Sequence, residues 1–296
     1  MASQSRAMRL KFWGVRGSIA TPGPTTLQYG GNTSCLEVRA EGQILVLDAG
    51  TGLRLLGRSL LEEFGDRPMD LTLLLTHTHW DHIQGLPFFL PVYHPNNRLH
   101  ILGYEGARVG LETVLNSQME NPFFPIGLKE VPANIQIEEL KVDSFDIGKV
   151  HVQTCPACHP GRCVGYRLSV GGNSLAFFPD NELRHDYSRP ETPPSRDGES
   201  VVAEFVQGVD VLVMDSQYDA AEYEQHTAWG HGCVDKVVGL ALQAKVKRLY
   251  LFHHDPDHDD GKINDMANHA RKLAASKGSS LHVEAAREGL EVEFPV

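Results

Sequence analysis

The chain has 296 residues, 41% of them hydrophobic, and sets 27 Lys plus Arg against 38 Asp plus Glu for a formal charge of −11. That length supports a substantial core, read as a single domain over residues 1–296, and the acidic balance gives no electrostatic support for binding nucleic-acid polymers or anionic membranes. An odd number of cysteines, no apolar leader after Met1 and no run near the roughly 18 apolar residues of a membrane helix point to a soluble, cytoplasmic protein.

The start is β-rich, with strands expected over residues 10–15, 34–38 and 43–48 around a Gly- and Pro-rich loop at 18–32. Thr51 then offers an N-cap for a helix whose Leu53, Leu56, Leu60, Leu61 and Phe64 recur at three and four before Gly65. An apolar strand at 71–75 runs straight into Thr76-His77-Thr78-His79-Trp80-Asp81-His82. Side chains two apart on an extended segment point the same way, so His77 and His79 can grip one cation, while Asp81 and His82, past the strand, can turn toward a second. Imidazole nitrogen with a little carboxylate suits zinc, manganese or iron, whereas calcium and magnesium take oxygen shells.

A helix over 105–117 and a Pro-punctuated apolar piece at 121–126 follow; that piece is a candidate for an active-site rim or for contact with a second copy of the chain in a homodimer. Strands at 135–137, 150–152, 167–170, 175–178, 211–214 and 249–252 then alternate with helices around 234–245 and 263–277, which makes a layered α/β protein. The polar, Pro-rich stretch 182–200 reads as a surface loop.

A two-metal centre needs more ligands than one motif supplies, and other strand ends are where they belong. His159 lies in Cys155-Pro156-Ala157-Cys158-His159-Pro160, Asp180 ends Phe177-Phe178-Pro179-Asp180, and His253 and His254 follow Leu249-Tyr250-Leu251-Phe252. Taken singly, such residues are ordinarily surface histidines and turn-forming aspartates. Cys155, Cys158 and Cys163 lack a second ligand pair at zinc-knuckle spacing and read as small packing residues.

Taken together, the His77-x-His79-x-Asp81-His82 run and the later His159, Asp180 and His253 resemble the metallo-β-lactamase superfamily over nearly the whole length. Phe12-Trp13-Gly14-Val15-Arg16-Gly17-Ser18, Tyr29-Gly30-Gly31-Asn32-Thr33-Ser34 and the His159-Pro160 to Gly165-Tyr166 pattern are similar to its ribonuclease Z-like and cyclic-phosphodiesterase-like branch. The resemblance implies a four-layer αββα sandwich and two divalent metal ions, zinc first, with manganese or iron as alternatives. It assigns His77, His79 and His159 to one metal, and Asp81, His82 and a distal histidine to the other. Alignment on Pro256 favours His253 over His254 for that place, leaving the acidic tail to Asp260 as a solvated rim. Asp180 becomes the bridging carboxylate and Asp48 a brace behind the metal loop.

The implied chemistry is hydrolysis, with two cations about 3.5–4 Å apart lowering the pKa of a shared water and clamping the attacking and leaving oxygens. Besides Asp81, the catalytic residues it implies are His231, in Trp229-Gly230-His231, as proton donor to the leaving alkoxide, and Asp215 to orient it, where relatives carry Glu. The expected activity is a phosphodiesterase acting on a small or cyclic nucleotide-like anionic substrate. One alternative is a lactonase or thioesterase, which needs no Asp215/His231 pair. The other is a tRNA-processing endonuclease, whose long arm insertion has no counterpart in residues 160–179. Gly30, Gly31 and Asn32 could also offer backbone amides to an anion.

Overall fold

The structure is a computed structural model that describes residues 8–104, 110–183 and 198–294. These fall into two compact units, one of residues 8–22, 30–104, 110–142 and 287–294, the other of 23–29, 143–183 and 198–286. Each unit is built on one seven-stranded mixed sheet.

In the first unit, β1 (Arg9–Gly14), β2 (Cys35–Ala40) and β3 (Gln43–Leu47) run antiparallel, and β4 (Asp70–Leu74), β5 (Arg98–Gly103) and β6 (Asn134–Glu139) continue parallel to β3. The last strand of the chain, β14 (Glu291–Glu293), adds to β1 antiparallel. Helix α1 (Gly52–Phe64) buries Leu53, Leu56 and Leu60, the three-and-four stripe of its sequence, among Val46, Leu71, Leu73 and Ile101 of the sheet. A single turn, α2 (Trp80–Ile83), carries the end of the histidine motif, and α3 (Leu111–Ser117) packs Leu111 and Leu115 into the same core.

The second unit repeats the plan. Strands β7 (Ser144–Ile147), β8 (Val150–Pro156), β9 (Val164–Val170) and β10 (Asn173–Phe178) form an antiparallel meander, and β11 (Val211–Asp215), β12 (Arg248–Phe252) and β13 (His282–Ala285) extend it in parallel. Every residue of β10 and β11 is buried, which is why residues 175–178 and 211–214 read as continuous apolar runs. Helices α4 (Gly198–Phe205), α6 (Val234–Gln243) and α7 (Asp260–Ser276) build the core with Val202, Val237, Val238, Ile263 and Ala267 against Leu212, Met214 and Leu249. The short α5 (Ala220–Gln225) is held by a capping box between Asp219 and Glu222.

The expected strands and main helices are present, with differences that have physical reasons. Of the helix expected over 105–117 only Leu111–Ser117 is helical among described residues, and 105–109 lie outside them. Residues 184–197 of the expected polar loop are likewise outside the described set, and residues 198–200 open α4. Thr51 stands at the head of α1 without capping it by its side chain. Instead its hydroxyl accepts from the Thr33 amide at 2.8 Å while its own amide donates to the Thr33 hydroxyl at 2.9 Å, tying the loop before β2 to the helix. No helix among the described residues is long and apolar enough to cross a membrane.

Candidate metal centre

In the first unit the motif leaves β4 and is braced from beneath by Asp48, just beyond β3. Asp48 is fully buried and takes a left-handed backbone, φ 61°, a strained choice for a residue with a side chain. Its carboxylate collects donors from three directions. Ser34 Oγ donates at 3.0 Å, the Thr76 amide at 2.9 Å, and His82 Nδ1 at 2.7 Å. The Thr76 hydroxyl also donates to Asp48, at 3.0 Å, so its one proton is committed and it accepts from His77 Nδ1 at 3.1 Å. One buried carboxylate thus sets the tautomer of two histidines, His82 directly and His77 through Thr76, and turns the Nε2 lone pair of each outward.

Those outward atoms meet others of the motif. His77 Nε2 lies 2.9 Å from His79 Nδ1, and His82 Nε2 lies 3.1 Å from Asp81 Oδ2. The Ser18 amide, in a left-handed turn of the 18–32 loop, donates to Asp81 Oδ2 at 2.8 Å. The two pairs expected from sequence, His77 with His79 and Asp81 with His82, are therefore each assembled. Gly50 and Gly85 make this possible, because a Cβ on Gly85 would sit 2.0 Å from the Gly50 carbonyl and one on Gly50 2.3 Å from the Asp81 carbonyl.

In the second unit the ligand-type residues come from separate strand ends. Asp180, past β10 and only 1% exposed, splits its two oxygens: Oδ2 is 3.4 Å from His159 Nε2, past β8, and Oδ1 is 3.1 Å from His253 Nε2, past β12. Each histidine is held by its other nitrogen, His159 Nδ1 donating to the Gly230 carbonyl at 3.0 Å and His253 Nδ1 to Gln217 Oε1 at 3.0 Å. His253 also takes a left-handed φ of 61°. Its neighbour His254 turns away, with Nε2 donating to the Ala286 carbonyl at 2.8 Å. The acidic tail is solvated only in part, since His254 and His258 are both buried.

His231, just before α6, donates through Nδ1 to Asp215 Oδ2 at 2.9 Å and stacks on His253 with ring centroids 4.9 Å apart. Aspartate at position 215 reaches the histidine without the longer arm of Glu, because β11 ends beside the Gly232 backbone, where a Cβ would lie 2.1 Å from the Asp215 carbonyl. Fully buried, Asp215 also accepts from the amides of Asn181 at 3.1 Å and Gln217 at 3.0 Å. Ligand atoms of Asp180, His231 and His253 all lie within 4.8 Å of one another.

Sequence reading did not single out Thr76, Ser18, Gln217 or the Gly230 carbonyl. Of these, Gln217 left a trace, two positions after Asp215 in Asp215-Ser216-Gln217; the others act through backbone or a hydroxyl and carry none. Of the amides in the Gly30-Gly31-Asn32 turn, that of Asn32 is already taken by a carboxylate, donating to Glu288 Oε1 at 2.7 Å. Among the described residues no cysteine joins a metal-binding group. Burial, then the Asp143 carboxylate, pushes the Cys155 thiol up to about 12, and the Cys163 thiol donates to the Asp180 carbonyl at 3.7 Å. Both behave as packing residues. Burial, followed by Asp255 and Asp215, raises the Tyr218 phenol and keeps it a neutral hydroxyl beside the site.

Each unit offers imidazole nitrogens and carboxylate oxygens, with His77, His82, His159 and His253 held from behind through Nδ1, a donor set that fits a divalent transition metal and is consistent with a dinuclear site.

These are the two halves of the metallo-β-lactamase fold. The structure is similar to the metallo-beta-lactamase fold protein YhfI from Bacillus subtilis, with a TM-score of 0.67 and 18% identity over 97% of this chain and 99% of that one. It is equally similar to a diphosphatase from the PhnP family, with a TM-score of 0.67 and 19% identity over 98% of each chain. In sequence it is 25% identical to a ribonuclease Z of Thermoplasma acidophilum, across 86% of this chain and 89% of the relative. Residues 44–254 match the family model described as a beta-lactamase superfamily domain, and the chain belongs to that superfamily. It is a metal-dependent hydrolase, as the sequence led us to expect.

Proposed function

We propose that the two ligand sets complete one binuclear centre in a single hydrolase domain, and that the enzyme is a phosphodiesterase acting on a small or cyclic nucleotide-like diester. His77, His79 and His159 would hold one ion, Asp81, His82 and His253 the other, with Asp180 between them. What supports that division is the split of Asp180, one oxygen toward His159 and the other toward His253. The ions, when bound, supply a water of lowered pKa and a polarised phosphoryl oxygen. Zinc is the first candidate because imidazole dominates the donor set.

The residue that carries the choice of substrate is His231. Its Nδ1 is fixed on Asp215, so Nε2 is the nitrogen presented to substrate. As water adds to phosphorus and the ester P–O bond breaks, His231 delivers a proton to the departing alkoxide, giving a phosphomonoester and an alcohol. Asp215 stabilises the imidazolium before that transfer. A thioesterase has less need of such a pair, because a thiolate departs with little protonation; a lactone, which releases an alkoxide, is told apart from the diester by the assay below.

A ribonuclease reading is favoured by the relatives' names and breaks the same kind of bond. Against it stand the charge of −11 and the short stretch between His159 and Asp180. The test is turnover of bis(p-nitrophenyl) phosphate, a lactone, a thioester and a precursor tRNA by protein of measured metal content resupplied with zinc or manganese. Preferential cleavage of the diester, lost on chelation, is expected. Turnover of the lactone or thioester without the diester would overturn the proposal, and efficient processing of the tRNA would move it to the ribonuclease reading.

A further inference from the structure

Trp229 is 60% exposed on a loop that is anything but loose. The amides on either side of it are both held by one carboxylate, buried to 2% exposure: Ala228 N donates to Glu182 Oε1 at 3.0 Å and Gly230 N to Glu182 Oε2 at 3.0 Å. The Trp229 amide itself donates to the His226 carbonyl at 3.1 Å, and the Thr227 hydroxyl to the Tyr223 carbonyl at 2.9 Å. Ala228 accepts a left-handed φ of 75° to complete the turn. Against the indole stands the His226 ring, perpendicular at 4.7 Å, itself stacked on buried Tyr218 at 4.5 Å. Tyr218 accepts from Gln217 Nε2 at 3.2 Å, and Gln217 is the group that orients His253.

Three features make this more than a stray surface aromatic. The loop is anchored on Glu182, two residues from Asp180. Its Gly230 carbonyl orients His159. The chain then runs directly into His231. A tryptophan needed only for packing would be turned inward; this one is fixed by a buried carboxylate and a strained residue with most of its surface in water.

We propose that Trp229 is a stacking platform for a planar heterocyclic base on the substrate, and so determines specificity for nucleotide-type diesters. This rests on the phosphodiesterase reading and narrows it. Because every base has a π-face and the platform adds no hydrogen-bond pattern of its own, recognition tolerates purine and pyrimidine alike. Trp229 does not touch the reacting atoms; it sets the register of the diester against His231.

The test compares two diesters with one leaving group, thymidine 5′-(p-nitrophenyl phosphate) and methyl p-nitrophenyl phosphate, in the metal-loaded wild type and in W229F, W229L and W229A. The ratio of kcat/KM for the nucleoside ester over the methyl ester should fall roughly tenfold in W229A and W229L, and stay within about threefold of wild type in W229F. Calorimetric binding of thymidine 5′-monophosphate should weaken in parallel, and the adenosine analogues should behave alike. An unchanged ratio in W229A, or W229L matching W229F, would overturn the proposal by reducing Trp229 to bulk or loop support. Should the wild type cleave neither diester, the phosphodiesterase reading fails on its own; Trp229-dependent binding of the monophosphate would still uphold the platform, and its absence would remove that too.

Discussion

The two units share a plan and use it differently. In each, an antiparallel meander gives way to parallel strands, at β3 in one and at β10 in the other. Just beyond each of these switch strands stands a buried aspartate, Asp48 and Asp180. Carboxyl ends of strands at such a switch are where α/β sheets place their chemistry. Yet Asp48 meets its histidine at Nδ1 and is filled by Ser34 and Thr76, whereas Asp180 meets His159 and His253 at Nε2. The same residue type at the same topological station is a brace in one unit and, in the proposed centre, a ligand in the other. Which ring nitrogen it faces decides the role, because a metal takes the nitrogen that the brace leaves with a lone pair.

Substituting the two aspartates is the sharpest way to break that comparison. Asp180→Asn should drop diester turnover to background together with bound metal, measured by elemental analysis, since an amide cannot serve two cations as a shared anion. Next in size is His231→Ala, expected to lower kcat by about 10²–10⁴-fold on a diester with an alkoxide leaving group, and far less on a p-nitrophenyl ester, while metal content is unchanged; equal loss of metal would make His231 a ligand instead of a proton donor. Asp48→Asn should weaken metal binding by about 10–100-fold with the fold intact by circular dichroism. If it matched Asp180→Asn in full, the distinction between brace and ligand would collapse. The smallest effect belongs to Gln217→Leu, about tenfold in activity, because a neutral amide holds His253 less firmly than Asp48 holds His82.

Legibility differed between the units for a physical reason. The first unit's ligand-type residues sit in one contiguous run after an apolar strand, and the alternation of a strand is enough to pair His77 with His79. In the second unit His159, Asp180, Asp215 and His253 are separated by whole strands and helices, and each alone reads in sequence as an ordinary surface or turn residue. Only resemblance to a known family gathered them. The choice of His253 over His254 is an example: nothing local separates two adjacent histidines, and the fold does so by giving His254 the Ala286 carbonyl.

The residues by themselves determined the α/β class, the apolar strands, the amphipathic α1, α6 and α7, and the ligand chemistry, because these follow from periodicity and from what imidazole and carboxylate can bind. Tertiary structure decided the tautomers, the supporting acceptors and the rigid exposure of Trp229. Those depend on atoms brought together across long stretches of chain, on backbone amides and carbonyls that every residue possesses, and on left-handed turns at Asp48, Ala228 and His253.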